Sequence, residues 1–189
     1  MSTWAVVSTD AVRNPEVADW CRVLCERLHG VVVVSADGSP VGRLRAARAV
    51  GGPLDRLLAG LRAVPDHCDT VVFVDDAALE AVSSDIVVEM VGCLAGDDAA
   101  VARAIPVTDA LKRVDGRRVL GAVGREGLLV LQTPHVFRRE ALDDALLALP
   151  DPGPTDLTGL LTATGLRVRM FRGLPLGARQ ARRNWPVLR

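Results

Sequence analysis

Across its first hundred residues the chain alternates short apolar, β-branched runs with segments of helical spacing, and this alternation limits it to a layered α/β fold. Trp4 to Ser8 reads as a strand. Asn14-Pro15-Glu16 then supplies an N-cap, a proline at N1 and a first-turn acid for a helix running to about His29, with Gly30 stopping it. Val31 to Val34 is a second strand, followed by a Gly/Ser/Pro loop through Gly42. Leu54, Leu57, Leu58 and Leu61 give 53–63 a helical stripe. Thr70 to Val74 is a third strand, Ser83 or Ser84 caps a helix through Leu94, and Ala99 to Pro106 resumes strand character. Strands with no polar alternation, separated by helices, predict a mostly parallel sheet covered on both faces.

After Val107 the rhythm changes. Asp115-Gly116 is a turn signal between two β-prone runs, and Gly127 precedes the apolar run Leu128 to Leu131, so 107–133 reads as an antiparallel arm protruding from the sheet. A helix over 138–149, a rigid Asp151-Pro152-Gly153-Pro154 loop, a short helix over 157–164 and a strand over 167–171 complete the pattern. At 189 residues the chain makes one domain, 1–173, with a basic tail, 174–189, that has no clear period.

Composition excludes several classes. Acids and bases balance at 23 each, so no basic footprint for nucleic acid exists, and any bound anion needs a local site. No apolar run is long enough to cross a bilayer, and Met-Ser-Thr-Trp-Ala-Val-Val lacks the basic start of a secretion signal, which implies a cytoplasmic location. Cys21, Cys25, Cys68 and Cys93 form no CxxC pair. The i,i+4 spacing of the first two fits one helix face, and reduced, buried thiols are favoured over a metal site.

Three blocks carry a resemblance: Ile105-Pro-Val-Thr-Asp-Ala-Leu-Lys-Arg-Val-Asp115, then Gly124-Arg-Glu-Gly-Leu128, then Leu131-Gln-Thr-Pro-His-Val-Phe137. In order and spacing they resemble the 2-C-methyl-D-erythritol 4-phosphate cytidylyltransferases. Weaker matches are Gly51-Gly52 before a helix bearing Asp55 and Gly60-Leu61, Val74-Asp-Asp-Ala-Ala78, and Thr155-Asp156. The resemblance implies a Rossmann-like nucleotidyltransferase fold and a homodimer formed through the β-arm. It also implies a magnesium-dependent reaction of CTP with methylerythritol phosphate that releases pyrophosphate in isoprenoid precursor synthesis.

The same resemblance assigns roles. Asp76 stands at the family's metal aspartate, just past a strand end, where open parallel sheets place ligands. On its own chemistry, either Asp75 or Asp76 also suits a turn or helix cap. Arg125 and Thr133 match the residues that hold the acceptor's phosphate, the arginine reaching across the dimer with its two-pronged guanidinium. A solvated turn and a strand-end hydroxyl bound to backbone are the plain alternatives. Thr155 and Asp55 fall on the substrate side, although Thr155 also suits an N-cap. Arg179 stands where the family uses a catalytic lysine, or is one charge of a basic tail.

Departures from the pattern concern the nucleotide. The family's first strand leads into a glycine-rich loop bearing an arginine and a Pro-Lys pair, because amides approach phosphates closely only where side chains are absent. Here Ser8-Thr-Asp-Ala-Val-Arg-Asn-Pro15 follows that strand, with no glycine before Gly30 and no lysine before Lys112. Asp75 and Leu79 replace a histidine and an arginine around Asp76, leaving Arg13 and the basic tail to compensate. Three readings stay open: a cytidylyltransferase with weak or altered nucleotide use, a non-catalytic dimeric relative with a binding or regulatory role, and an unrelated α/β binding protein if no arm exists.

Overall fold

The computed structural model describes residues 1–149 and 157–173. Its elements run β1 (Thr3–Ser8), α1 (Pro15–Arg27), β2 (Gly30–Ser35), β3 (Arg45–Arg48), α2 (Pro53–Leu61), β4 (Thr70–Asp75), α3 (Asp76–Ala81), α4 (Ser84–Gly92), β5 (Ala100–Pro106), β6 (Leu111–Asp115), β7 (Arg118–Val123), β8 (Leu129–Arg138), α5 (Arg139–Leu147), α6 (Leu157–Ala163) and β9 (Val168–Arg172). Among the described residues no helix is long and apolar enough to cross a membrane.

Seven strands form one sheet in the order β3-β2-β1-β4-β8-β5-β9. All run the same way except β8, which lies antiparallel between β4 and β5. Strand side chains alternate between two apolar layers. Val6, Val32, Val34, Phe73 and Phe137 face Leu54, Leu57, Leu142 and Leu160 of α2, α5 and α6. Val7, Val33, Val72, Val74 and Val136 face Val17, Cys21, Leu24, Val87 and Met90 of α1 and α4. Burial on both faces explains why these strands read as unbroken apolar runs.

Local signals hold where side chains make the bonds expected of them. The Asn14 side chain accepts from the Glu16 amide, with Pro15 in the first turn. Helix α1 ends at Arg27, two residues earlier than expected, with Leu28 as its C-cap, and Gly30 already belongs to β2. That glycine is required by space, since a Cβ there would collide with the Trp4 ring. The Cys21 thiol is fully buried in α1 and pushed up to about 12 by desolvation, so it is chemically inert.

Strand β3 and helix α3 are absent from the sequence reading. Arg-Ala-Ala-Arg lacks β-branched residues and sits on a sheet edge, half-exposed, so its pairing with β2 leaves no apolar pattern. The six-residue α3 depends on Asp75, whose carboxylate caps it by accepting from the Ala78 amide at 3.0 Å.

The arm exists as a hairpin, β6 paired with β7, turning at Gly116 with φ +52°. Its residues are almost wholly exposed. The run after Gly127 is the beginning of β8, which continues from the arm's base into the middle of the sheet.

Gly60 sets how closely α2 lies on the sheet, since a Cβ there would strike the Val6 side chain of β1. Better helix propensity stabilises a substitution by about 1 kcal/mol at most, whereas overpacking costs about 1–3 kcal/mol. Gly60→Val, which adds bulk and gains little propensity, should lower unfolding free energy by about 2 kcal/mol in a urea titration. An unchanged midpoint would show that α2 packs more loosely.

Candidate functional site

The carboxyl ends of β1, β2, β3 and β4 share one edge of the sheet. Chain order reverses between β1 and β4, the position where such sheets open a crevice for ligands. Ser8 and Asp75 are register partners there, and the antiparallel course of β8 brings Thr133 to the same edge.

Asp75 is the centre of a polar cluster. Its Oδ1 accepts the Ala78 amide and the Thr133 hydroxyl, so Thr133 is paired with a side chain and not with backbone. Between Thr133 and His135 the β5 pairing slips: Ala102 opposes His135 while Arg103 opposes Gln132. The slip lets the Arg103 side chain donate to the Thr133 carbonyl and to Gln132 Oε1, each at 3.0 Å. Arg103 is only 3% exposed. Burial lowers its pKa and the Asp75 charge raises it, but a guanidinium remains protonated, so Asp75 is its countercharge.

His135 completes the cluster from inside. Among the described residues neither ring nitrogen has a hydrogen-bond partner, and the ring stacks on Phe137 with centroids 6.2 Å apart. Desolvation lowers its pKa to about 4, against a smaller upward pull from Asp75. It is a neutral imidazole at physiological pH.

The expected site residues fall in four places. Asp76 and Thr133 come together at the strand ends, Asp76 as the first residue of α3 directly after the Asp75 cap. Asp55 lies at the start of α2 and its carboxylate accepts from the Gly52 amide at 3.0 Å, a bond that caps its own helix. Arg125 lies on the arm, where its guanidinium donates to the Thr108 carbonyl. Thr155 and Arg179 lie outside the described residues.

The turn after β1 carries a different chemistry from a phosphate loop. Thr9 Oγ1 accepts from the Ala11 amide at 3.0 Å, the Asn14 amide bonds the Ala11 carbonyl, and the Thr9 amide is taken by Val34. Asp10 is held in a fork by Arg56 of α2, at 2.8 and 3.2 Å, and also accepts from the Ala36 amide. Arg56, through its hydrogen bonds, keeps the Asp10 pKa below the usual carboxylate range.

For magnesium the donors fit in a limited way. No group of three or more His, Cys, Asp or Glu residues is placed to hold a metal among the described residues. Magnesium often takes one or two carboxylates and completes its shell with phosphate and water. Asp76 meets that need, since none of the described residues hydrogen-bonds or ion-pairs with its carboxylate, whereas Asp75 is committed to Ala78 and Thr133.

Sequence reasoning missed Asp10, Arg56, Arg103 and His135. Arg103 had a visible signal, one arginine inside the buried run Ala-Val-Ala-Arg-Ala-Ile. Asp10 and Arg56 stand 46 residues apart, and nothing local joins them.

The sheet order and the polar groups gathered at its carboxyl edge define a Rossmann-like α/β protein with a polar crevice at its strand ends. The family model described as 2-C-methyl-D-erythritol 4-phosphate cytidylyltransferase (IspD) matches residues 31–179. A cytidylyltransferase of that description from Corynebacterium efficiens is 32% identical over 169 residues, covering 86% of this chain and 65% of its own. Another from Azoarcus is 40% identical over 128 residues, covering 65% of this chain and 53% of its own. The chain therefore spans roughly half to two thirds of the length of these relatives. The crystal structure of the Thermus thermophilus cytidylyltransferase superposes with a TM-score of 0.73 over 95% of both chains at 20% identity, a likeness of fold. The chain belongs to the 2-C-methyl-D-erythritol 4-phosphate cytidylyltransferase family.

His135 makes stability depend on pH. The unfolded imidazole takes a proton near 6.5 and the folded one near 4, so between these values the unfolded chain binds more protons and stability rises with pH. His135's contribution is complete above about pH 6.5 and lost on acidification toward about pH 4, by on the order of 3 kcal/mol. Urea midpoints measured across this window should fall more steeply for the native chain than for His135→Gln. Equal slopes would show that the ring protonates in place.

Proposed function

We propose that this chain transfers a cytidylyl group from CTP to 2-C-methyl-D-erythritol 4-phosphate, releasing pyrophosphate in isoprenoid precursor synthesis in the cytoplasm. The observation that carries the reading is the juxtaposition of Asp76 and Thr133 at the carboxyl edge, within a family match covering most of the chain.

In this reading an oxygen of the acceptor's phosphate attacks the α-phosphorus of CTP. The new P–O bond forms as the bond to the β-phosphate's bridging oxygen breaks, and the electron pair leaves with pyrophosphate. Asp76 holds magnesium, which neutralises phosphate charge when bound. Thr133 and Thr155 donate to the acceptor's phosphate, Asp55 lies on the substrate side, and Arg125 from a second copy and Arg179 supply positive charge. The single proton of the Thr133 hydroxyl is committed to Asp75, so donation to a phosphate requires that bond to open.

The homodimer is supported by the arm. Val119 and Leu120 are 60% and 55% exposed, Val114 is exposed opposite Val119, and Leu128 and Leu129 are exposed where the arm meets β8. An isolated two-stranded hairpin is marginal in water, and an exposed apolar patch of this kind suits a protein partner. Leu120→Glu should shift the protein from dimer to monomer in sedimentation velocity. A monomeric native chain would remove the arm's role.

A non-catalytic dimeric relative is the second reading, favoured by one observation. The turn after β1 closes on its own hydrogen bonds and presents a carboxylate where phosphate charge would need amides or cations. Pyrophosphate release from CTP, magnesium and methylerythritol phosphate separates the two. The transferase reading expects release above the no-enzyme rate, lowered on the order of a hundred- to a thousandfold by Asp76→Asn. No release at high protein concentration, with no CTP binding by calorimetry, would leave the non-catalytic reading.

A further inference from the structure

The Asp10–Arg56 pair joins three pieces of chain at the crevice. Asp10 leaves β1, Arg56 lies one turn into α2, and the Ala36 amide that shares Asp10 Oδ1 follows β2. The two side chains differ in exposure: that of Arg56 is 15% exposed, that of Asp10 56%. The guanidinium is therefore packed in place, while the carboxylate on its outer side stands largely in water.

Such an arrangement is poorly suited to stability alone, because an ion pair with one exposed partner is screened and contributes little. It suits exchange. A carboxylate and a phosphate offer a guanidinium the same two-oxygen face, so a phosphate can take the place of Asp10 without moving Arg56. The surroundings give that exchange a purpose. Asp37, Asp55, Asp75 and Asp76 also stand at this edge, and Arg48 already donates to the Ala36 carbonyl.

We infer that Arg56 is the phosphate-binding cation of the nucleotide site in this chain, and that Asp10 is a latch occupying it until a polyphosphate displaces the carboxylate. The inference rests on the nucleotide reading above and adds to it the residue that replaces the family's loop chemistry. Asp10 acts through Arg56 and is a positioning residue. Its removal deletes a competing anion and frees a cation.

Calorimetry with inorganic tripolyphosphate on the full chain tests the latch independently of turnover. Asp10→Asn, which keeps the side chain's size while removing its charge and one of its two acceptor oxygens, should bind tripolyphosphate about tenfold more tightly than the native chain. Arg56→Gln should bind no more tightly than the native chain, and the double variant should match Arg56→Gln. Arg56→Lys combined with Asp10→Asn should retain part of the gain, because a point charge attracts phosphate without the fork. Thermal unfolding of each variant shows that it is folded. An Asp10→Asn chain that is folded yet binds tripolyphosphate no better than native overturns the latch, as does a gain that survives Arg56→Gln. A gain that depends on Arg56, without pyrophosphate release from CTP and acceptor, keeps the latch and removes the transferase reading. Release without the gain does the opposite.

Discussion

The antiparallel course of β8 through an otherwise parallel sheet is the constraint on which the rest depends. Were β8 parallel to β4, Thr133 would leave the carboxyl edge and the arm would have no base. Running backward from the arm, β8 delivers Thr133 to Asp75 and lays Phe137 into the core two steps after His135. The interior slip opposite Arg103 follows from the same strand, since a regular ladder would not turn that guanidinium to the Thr133 carbonyl. A buried positive charge then requires a negative one, and Asp75 supplies it while capping α3. One carboxylate thus orders a helix, a hydroxyl and a buried arginine.

What was legible in the sequence follows from how locally each feature is determined. Strands β1, β2, β4 and β5 could be read because both their faces are buried and composition alone marks them. Helix α1 was legible because Asn14 and Pro15 act within one turn, and the hairpin because Gly116 carries the positive φ its turn requires. Strand β3 was not, since an edge strand of alanines and arginines exists only by pairing with β2. The positions of Asp76 and Thr133 were legible through motif spacing. Their meeting depends on strand order, which no local pattern encodes.

Asp75 illustrates the limit most clearly. Either aspartate after β4 could serve as a cap, and the choice is made by geometry. The first carboxylate turns back to the Ala78 amide, and the second, already inside the helix, is left for solvent or a ligand. His135 was invisible for a related reason. Its neutral state comes from burial and from the distance to any donor or acceptor, and neither is a property of the neighbouring sequence.

The arm and the crevice impose opposite demands on composition. Val114, Val119 and Leu120 are exposed on a hairpin without a core of its own, so the arm's apolar surface asks for a partner. The crevice is rich in carboxylates, so a triphosphate meets repulsion there unless cations accompany or await it. A glycine-rich loop would meet that need with backbone amides, which carry no competing function. This chain instead closes the loop with Thr9 and Asp10 and draws on a guanidinium carried by α2. Amides are always available, but an arginine held by a carboxylate is available only to an anion that competes better than Asp10. Binding at such an edge therefore depends on the ligand's charge as much as on its shape. The fold can thus be preserved while the preference among anions changes.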